Sequence, residues 1–195
     1  MSPFESALFV AMFTPVLALV VSVFLKPAIS FRWNSLLIAL SGIGGTIAGA
    51  YGAIAEVPFT MSVPMFYGMT VALDRFSAIF FIGISIVIAA AGLYALHYGT
   101  KHQGDLARLR HVGILSALFV IGAQWVLISG NIIGFIAAWA VMTLAVFFLA
   151  LTRSEQSIAL QLLMVSQLGT AALTAGFFIL SSGALFSDFG TLAYL

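Results

Sequence analysis

Apolar runs long enough to cross a bilayer, about 20 residues at 1.5 Å each, alternate with short polar breaks along the chain. They fall at residues 7–25, 36–55, 76–98, 112–129, 132–151 and 158–180, and they predict six transmembrane helices. In lipid the backbone of such a run must bond within itself, which selects a helix over an isolated strand. The run 132–151, IIGFIAAWAVMTLAVFFLAL, has no ionisable side chain at all. One stretch departs from this rhythm. Between Glu56 and Asp74, Phe59, Met61 and Val63 alternate with Thr60 and Ser62, and Pro64 and Gly68 supply turn residues. A period of two predicts a short β-hairpin at the membrane surface, between helices 2 and 3. The expected fold is an all-α integral membrane protein with that hairpin inserted, residues 1–195 forming a single membrane domain.

Composition sharpens this reading. The 195 residues are 63% hydrophobic and 7% charged, against about 25% charged in a soluble domain. Glu5 before the first run and Lys26 after it reverse the charge order of a cleavable signal peptide, so the run is expected to be retained. Pro15 inside it removes a backbone donor and predicts a bend. A net charge of +1 without Lys/Arg clusters excludes nucleic acid as a partner and leaves the lipid bilayer as the surrounding phase. With no cysteine, disulfides and thiolate or iron–sulfur ligation are excluded within the chain.

The polar breaks carry the orientation. Lys26, Pro27 and Arg32 are read as one basic loop, 98–111 (YGTKHQGDLARLRH) as a second, and Arg153-Ser154-Glu155 as a third. With six spans, alternation places all three on one side, and of the basic residues only Arg75 lies opposite. That side is expected to be cytoplasmic in a cell inner (plasma) membrane, with both termini on the non-cytoplasmic side.

Few residues carry chemistry. Ser41, Gly45 and Gly49 recur every four positions, continued by Ala48 and Gly52, and predict a close-packing helix face. Asp74 is placed to cap the amide of residue 76 or 77. Gln124 needs a protein partner, because an unsatisfied amide in hydrocarbon is costly. Gln167, Thr170 and Thr174, at i, i+3 and i+7, form a polar stripe suited to interhelical hydrogen bonds or, with Thr143 and Gln124, to a water-lined path. His97, His102 and His111 surround the second basic loop at spacings of five and nine, which share no helix face and have no carboxylate cluster beside them. No metal site, cofactor site or catalytic residue is expected there, although surface proton passing stays open.

The run Leu73-Asp74, Phe76-Ser77-Ala78 and Tyr94, followed by Gly130-Asn131 and the Trp139 helix, resembles the start of a known family. It is similar to the proton-conducting, antiporter-like membrane subunits of respiratory complex I, Mrp-type antiporters and group 4 hydrogenases, and nearest to the hydrogenase-4 component B type. The likeness extends over about 31–195. In that family the fifth helix carries an aromatic residue followed by a glutamate, which pairs with a lysine two helices later and drives proton transfer. Here the aromatic is Trp139 and the next residue is Ala140, while Thr143, Leu144 and Phe147 fit the family's continuation. After Leu180 only SSGALFSDFGTLAYL follows, so the resemblance reaches the N-terminal part of such a subunit and not its lysine helix.

The resemblance implies an antiporter-like subunit of a multi-subunit ion-translocating oxidoreductase or related transport complex. Its partners would be other membrane subunits, and it would hold no cofactor. With Ala140 in place of the glutamate, its role would be structural or that of a degenerate half of a proton path, and not itself catalytic. The alternative is a self-contained small transporter or channel, a homo-oligomer joined through the Ser41/Gly45/Gly49 face with Gln124, Gln167 and Thr170 lining a pore. Internal repeats would favour that alternative, and none is found.

Overall fold

The computed structural model describes residues 2–54, 59–62, 70–101, 106–152, 156–181 and 189, apart from the side chains of 28, 61, 62 and 99–101. Among the described residues there are six helices, each long and apolar enough to span a membrane. They are α1 (Pro3–Phe24), α2 (Pro27–Ile54), α3 (Arg75–Lys101), α4 (Leu106–Ile128), α5 (Ile132–Leu151) and α6 (Gln156–Leu180). Between α2 and α3 lies a two-stranded antiparallel hairpin, β1 (Phe59–Ser62) and β2 (Thr70–Leu73), paired from Phe59↔Leu73 to Ser62↔Thr70. The hairpin turn expected at Pro64 and Gly68 lies outside the described residues, as do Glu56, His102 and Arg153-Ser154-Glu155.

Local chemistry sets the helix starts earlier than hydropathy does. Ser2 and Glu5 form a reciprocal capping box, with the Glu5 amide donating to Ser2 Oγ at 3.1 Å and the Ser2 amide donating to Glu5 Oε2 at 2.8 Å. The first basic loop shrinks to Leu25-Lys26, since α2 already begins at Pro27 and contains Arg32. Proline suits a first helical position because its ring presets φ and its missing N–H has no intrahelical partner there. Ser30 donates from its amide to the Lys26 carbonyl at 2.8 Å and closes the first turn. The second polar break shrinks in the same way: His97 and Tyr98 belong to α3, and Arg108, Arg110 and His111 belong to α4.

The bundle is organised around α2, which packs against α1, α3 and α4. Its contact with α3 is a meeting of backbones. A Cβ built at Gly42 would lie 2.3 Å from the Ala89 nitrogen, and one at Gly92 would lie 2.5 Å from the Ala39 nitrogen. Gly45 meets Ser85 and Phe81, and Gly49 meets Ile82 and the Ala78 carbonyl. Small residues allow this approach, and in lipid the resulting dispersion contacts replace the hydrophobic drive that water would supply. Gly42→Ala is therefore expected to cost about 1–3 kcal/mol despite alanine's better helix propensity. Gly83→Ala on α3, where nothing lies within 4 Å of the added carbon, should be neutral or stabilising. Thermal unfolding of the two variants in the same detergent checks the contrast, and equal midpoints would contradict it.

The hairpin closes one end of the bundle. Val71 and Leu73 of β2 are buried with Leu8, Ala11, Ala48, Ala78, Phe81 and Ile128. Val71 also bridges to Ser129, and the Gly130 amide donates to the Thr70 carbonyl at 2.7 Å, so the α4–α5 turn extends the sheet edge. On its other side the Gly130 carbonyl accepts from the Phe189 amide at 2.9 Å, and the Phe189 ring packs on Phe135 and Phe177. At the opposite end Arg110 donates to the Val23 carbonyl in the last turn of α1, where helix carbonyls otherwise have no partner.

Candidate functional site

Several of the polar side chains buried in the bundle, Ser22, Asn34, Ser41 and Gln124 among them, gather where α1, α2 and α4 meet. Pro15 has no N–H, so the carbonyl four residues before it, that of Ala11, loses its intrahelical donor. Ser41 of α2 supplies the replacement: its Oγ donates to the Ala11 carbonyl at 2.7 Å. Gln124 of α4 then donates from Nε2 to Ser41 Oγ at 2.9 Å. Both side chains are fully buried. Three helices are thus tied by one chain of hydrogen bonds that starts from a proline defect.

A second knot lies one step along the same helices. Asn34, buried on α2, donates from Nδ2 to Ser22 Oγ at 2.6 Å and to the Gly113 carbonyl of α4 at 2.9 Å. Asn34 and Ser41 are seven residues apart, and Gly113 and Gln124 eleven, so each pair lies on one line of its helix and the two knots stack along the bundle. Sequence reasoning did not single out Ser22, a hydroxyl inside the apolar run 7–25, or Asn34, because residues 27–35 look like a polar break until they are known to be helical.

The expected packing face divides between two neighbours. Gly45 and Gly49 face α3, while the Ser41 hydroxyl turns to α1 and α4 and Gly42 takes its place in the α3 contact. Asp74 Oδ1 accepts from the Ser77 amide at 2.8 Å, at the start of α3.

The remaining polar candidates are not brought to one place. On α5, Thr143 is buried and its hydroxyl donates to the Ala140 carbonyl at 3.0 Å. The Trp139 indole Nε1 donates to Thr170 Oγ1 of α6 at 3.2 Å. Thr170 in turn donates to the Ser166 carbonyl at 2.9 Å, and Thr174 to the Thr170 carbonyl at 2.7 Å. Gln167 is exposed on α6, a helix that packs chiefly against α5, and it does not meet Gln124. Ala140 is half-buried beside Trp139.

This arrangement is electrically neutral at mid-membrane depth. Ionisable side chains on the described helices sit in terminal turns or close to them: Glu5, Arg32, Arg75, His97, Arg108, Arg110 and His111. Neither α5 nor α6 contains one. Among the described residues no three His, Cys, Asp or Glu side chains converge as a metal site would require. Ser22, Asn34, Ser41 and Gln124 tie α1, α2 and α4 together, and none of these four side chains is titratable.

No protein-family model matches the sequence. The chain is 25% identical over 176 residues to hydrogenase-4 component B of Escherichia coli (strain K12), a match covering 82% of this chain and 26% of that protein. It is 26% identical over 153 residues to an uncharacterized protein of Mycobacterium tuberculosis, covering 74% of this chain and 22% of the other. The chain thus spans about a quarter of the length of the curated relatives it matches. These distant similarities, with six helices able to span a membrane, describe a multi-pass membrane protein related at long range to a hydrogenase component.

Proposed function

We propose that this chain is an antiporter-like membrane subunit of a larger ion-translocating oxidoreductase or related transport complex, and that its own helices serve as scaffold or as one inactive half of a proton path. The observation that carries the reading is the pairing of the component B similarity with the neutral α5–α6 contact. Where the resembled family has a glutamate after the aromatic residue, Ala140 offers a methyl group that can neither take up nor release a proton. Trp139 beside it is engaged in a neutral bond to Thr170. In a subunit relieved of proton transfer, loss of that carboxylate removes an insertion cost of roughly 2.5–3.5 kcal/mol for a charged group at helix centre.

The basic ends of α1–α2 and α3–α4 would face the cytoplasm, with the hairpin and the start of α1 on the other side. The homo-oligomeric transporter is the weaker reading, because α3, α1 and α4 of the same chain already cover the face it would use. The test is purification from native membranes in mild detergent through a tag on this chain. Co-elution of stoichiometric membrane subunits together with redox-active partners is the expected result. Recovery of the chain alone, as a monomer or a homo-oligomer with ion flux in liposomes, would overturn the reading.

A further inference from the structure

The outer faces of α2 and α3 carry two apolar lines that end, at the same depth, in side chains able to donate hydrogen bonds. On α2 the line runs Arg32, Leu36, Ile43 and Ile47, at intervals of four, seven and four, and all four residues are exposed. On α3 it runs His97, Leu93, Ile86 and Ile79, at intervals of four, seven and seven, again all exposed. The two helices are antiparallel, with Gly42 against Ala89 and Gly92 against Ala39. Carried along the pair, that register sets Arg32 level with the end of α3, at the depth of His97 and Tyr98. Both lines lie on the side of the pair turned away from α4. That helix meets α2 at Ser41 and α3 at Ile88, which is buried with Ala117 and Val120.

The depth fits one leaflet. Arg32 to Ile43 and His97 to Ile86 are each eleven residues, about 16 Å at 1.5 Å per residue, and half of a hydrocarbon core is roughly 15 Å. Aromatic side chains mark the headgroup level at this end, where Trp33 is 54% and Tyr94 70% exposed. Tyr51, an exposed aromatic towards the other end of α2, lies about 27 Å from Trp33 along the helix, close to the full thickness of the core.

Charge separates the two ends of the pair. Arg32 is exposed, and no described residue bonds its guanidinium. Lys26 and Arg108 are exposed at the same end, while Arg110 is engaged with the Val23 carbonyl. The described acids, Glu5 and Asp74, lie at the opposite end; Asp105 and Glu155 lie outside the described residues. Towards that opposite end the α3 line reaches Arg75, next to Asp74, and the α2 line reaches Ile54. An anion is therefore favoured at the Arg32 end.

We propose that the outer face of the α2–α3 pair binds an anionic phospholipid, with its phosphate on the Arg32 guanidinium and its acyl chains along Leu36 and Ile43 of α2 and Leu93 and Ile86 of α3. Arginine suits a phosphate because its planar fork presents two parallel N–H donors. The His97 ring carries at least one N–H in either protonation state, a further donor at the same depth. Elsewhere on α3, Phe76, Phe80 and Val87 expose an apolar surface that the tails of any lipid satisfy. The site does not depend on the subunit role.

The test places the full chain in phosphatidylcholine vesicles with a minor share of phosphatidylglycerol, bromine being carried high on the acyl chains of one lipid or the other. Quenching of Trp33, read as the difference from Trp33→Phe, reports which lipid lies beside α2. Phosphatidylglycerol is expected to be enriched there roughly fivefold, the scale of one basic residue at an anionic headgroup. Arg32→Gln should bring the enrichment close to one, Arg32→Lys should keep part of it, and Lys26→Gln should leave it intact. No enrichment, or an equal loss in Lys26→Gln, would overturn the proposal, the second by showing diffuse surface charge. Displacement by inorganic phosphate at constant ionic strength would overturn it in favour of a small-anion site. Trp33 shielded from both brominated lipids would do so in favour of a second copy of the chain. Mass spectrometry of lipid retained by the chain from native membranes gives an independent reading: anionic phospholipid should be depleted in Arg32→Gln, and equal retention would count against the site.

Discussion

Ser41→Ala should destabilise the bundle by roughly 1–3 kcal/mol for each of the two groups it strands. One is the Ala11 carbonyl, left without an intrahelical donor by Pro15 and now without its donor from α2. The other is the Gln124 amide, whose acceptor is removed. Both lie in the packed junction of α1, α2 and α4, where water cannot substitute. A double-mutant cycle separates this account from simple cavity formation. Pro15→Ala restores an N–H four residues after Ala11 and lets α1 satisfy its own carbonyl. In that background Ser41→Ala should cost measurably less, with a coupling of at least about 0.5 kcal/mol. Chemical unfolding in detergent, followed by helical circular dichroism, reads all four corners. Strict additivity would show that Ser41 does not answer the proline defect.

The same residues show how far the sequence could be read. Pro15 and its orphaned carbonyl are visible in the sequence, since the i−4 relation is fixed by helix geometry. The identity of the donor is not, because it depends on how α2 lies against α1, and a span rich in Ser, Gly and Ala allows several registers. Six helices and a hairpin between the second and third were legible from hydropathy and from one break in its period. Asn34 was hidden by its neighbours: Lys26, Pro27 and Arg32 mark an end of hydropathy, while Ser30, Phe31, Asn34 and Ser35 fall at helical spacing and are all buried. The Gln167/Thr170 stripe separated for a geometric reason. Three residues turn a helix by about 300°, so the two side chains diverge by about 60°. That angle is enough to put Thr170 on the Trp139 indole and leave Gln167 outside.

Ala140→Glu tests the central claim about α5. Residue 140 is half-buried, beside an indole already committed to Thr170. Neither α5 nor α6 offers a cation to a new carboxylate. In the isolated chain the substitution should therefore lower the insertion equilibrium constant of α5 by roughly two orders of magnitude, the equivalent of about 2.5–3.5 kcal/mol for a charged side chain at helix centre. Ala140→Gln, of similar size but uncharged, should lose far less. A glycosylation-site reporter in the 153–155 connection, or protease protection of a C-terminal tag, reads the inserted fraction directly. In the assembled complex the outcome depends on what faces the site. Recovery of Ala140→Glu only when membrane partners are co-expressed would show that a basic group from a partner stands opposite residue 140. Full insertion of the isolated Ala140→Glu chain would mean that water or a cation already reaches the middle of α5. A neutral scaffold helix could not then be the reason for the alanine.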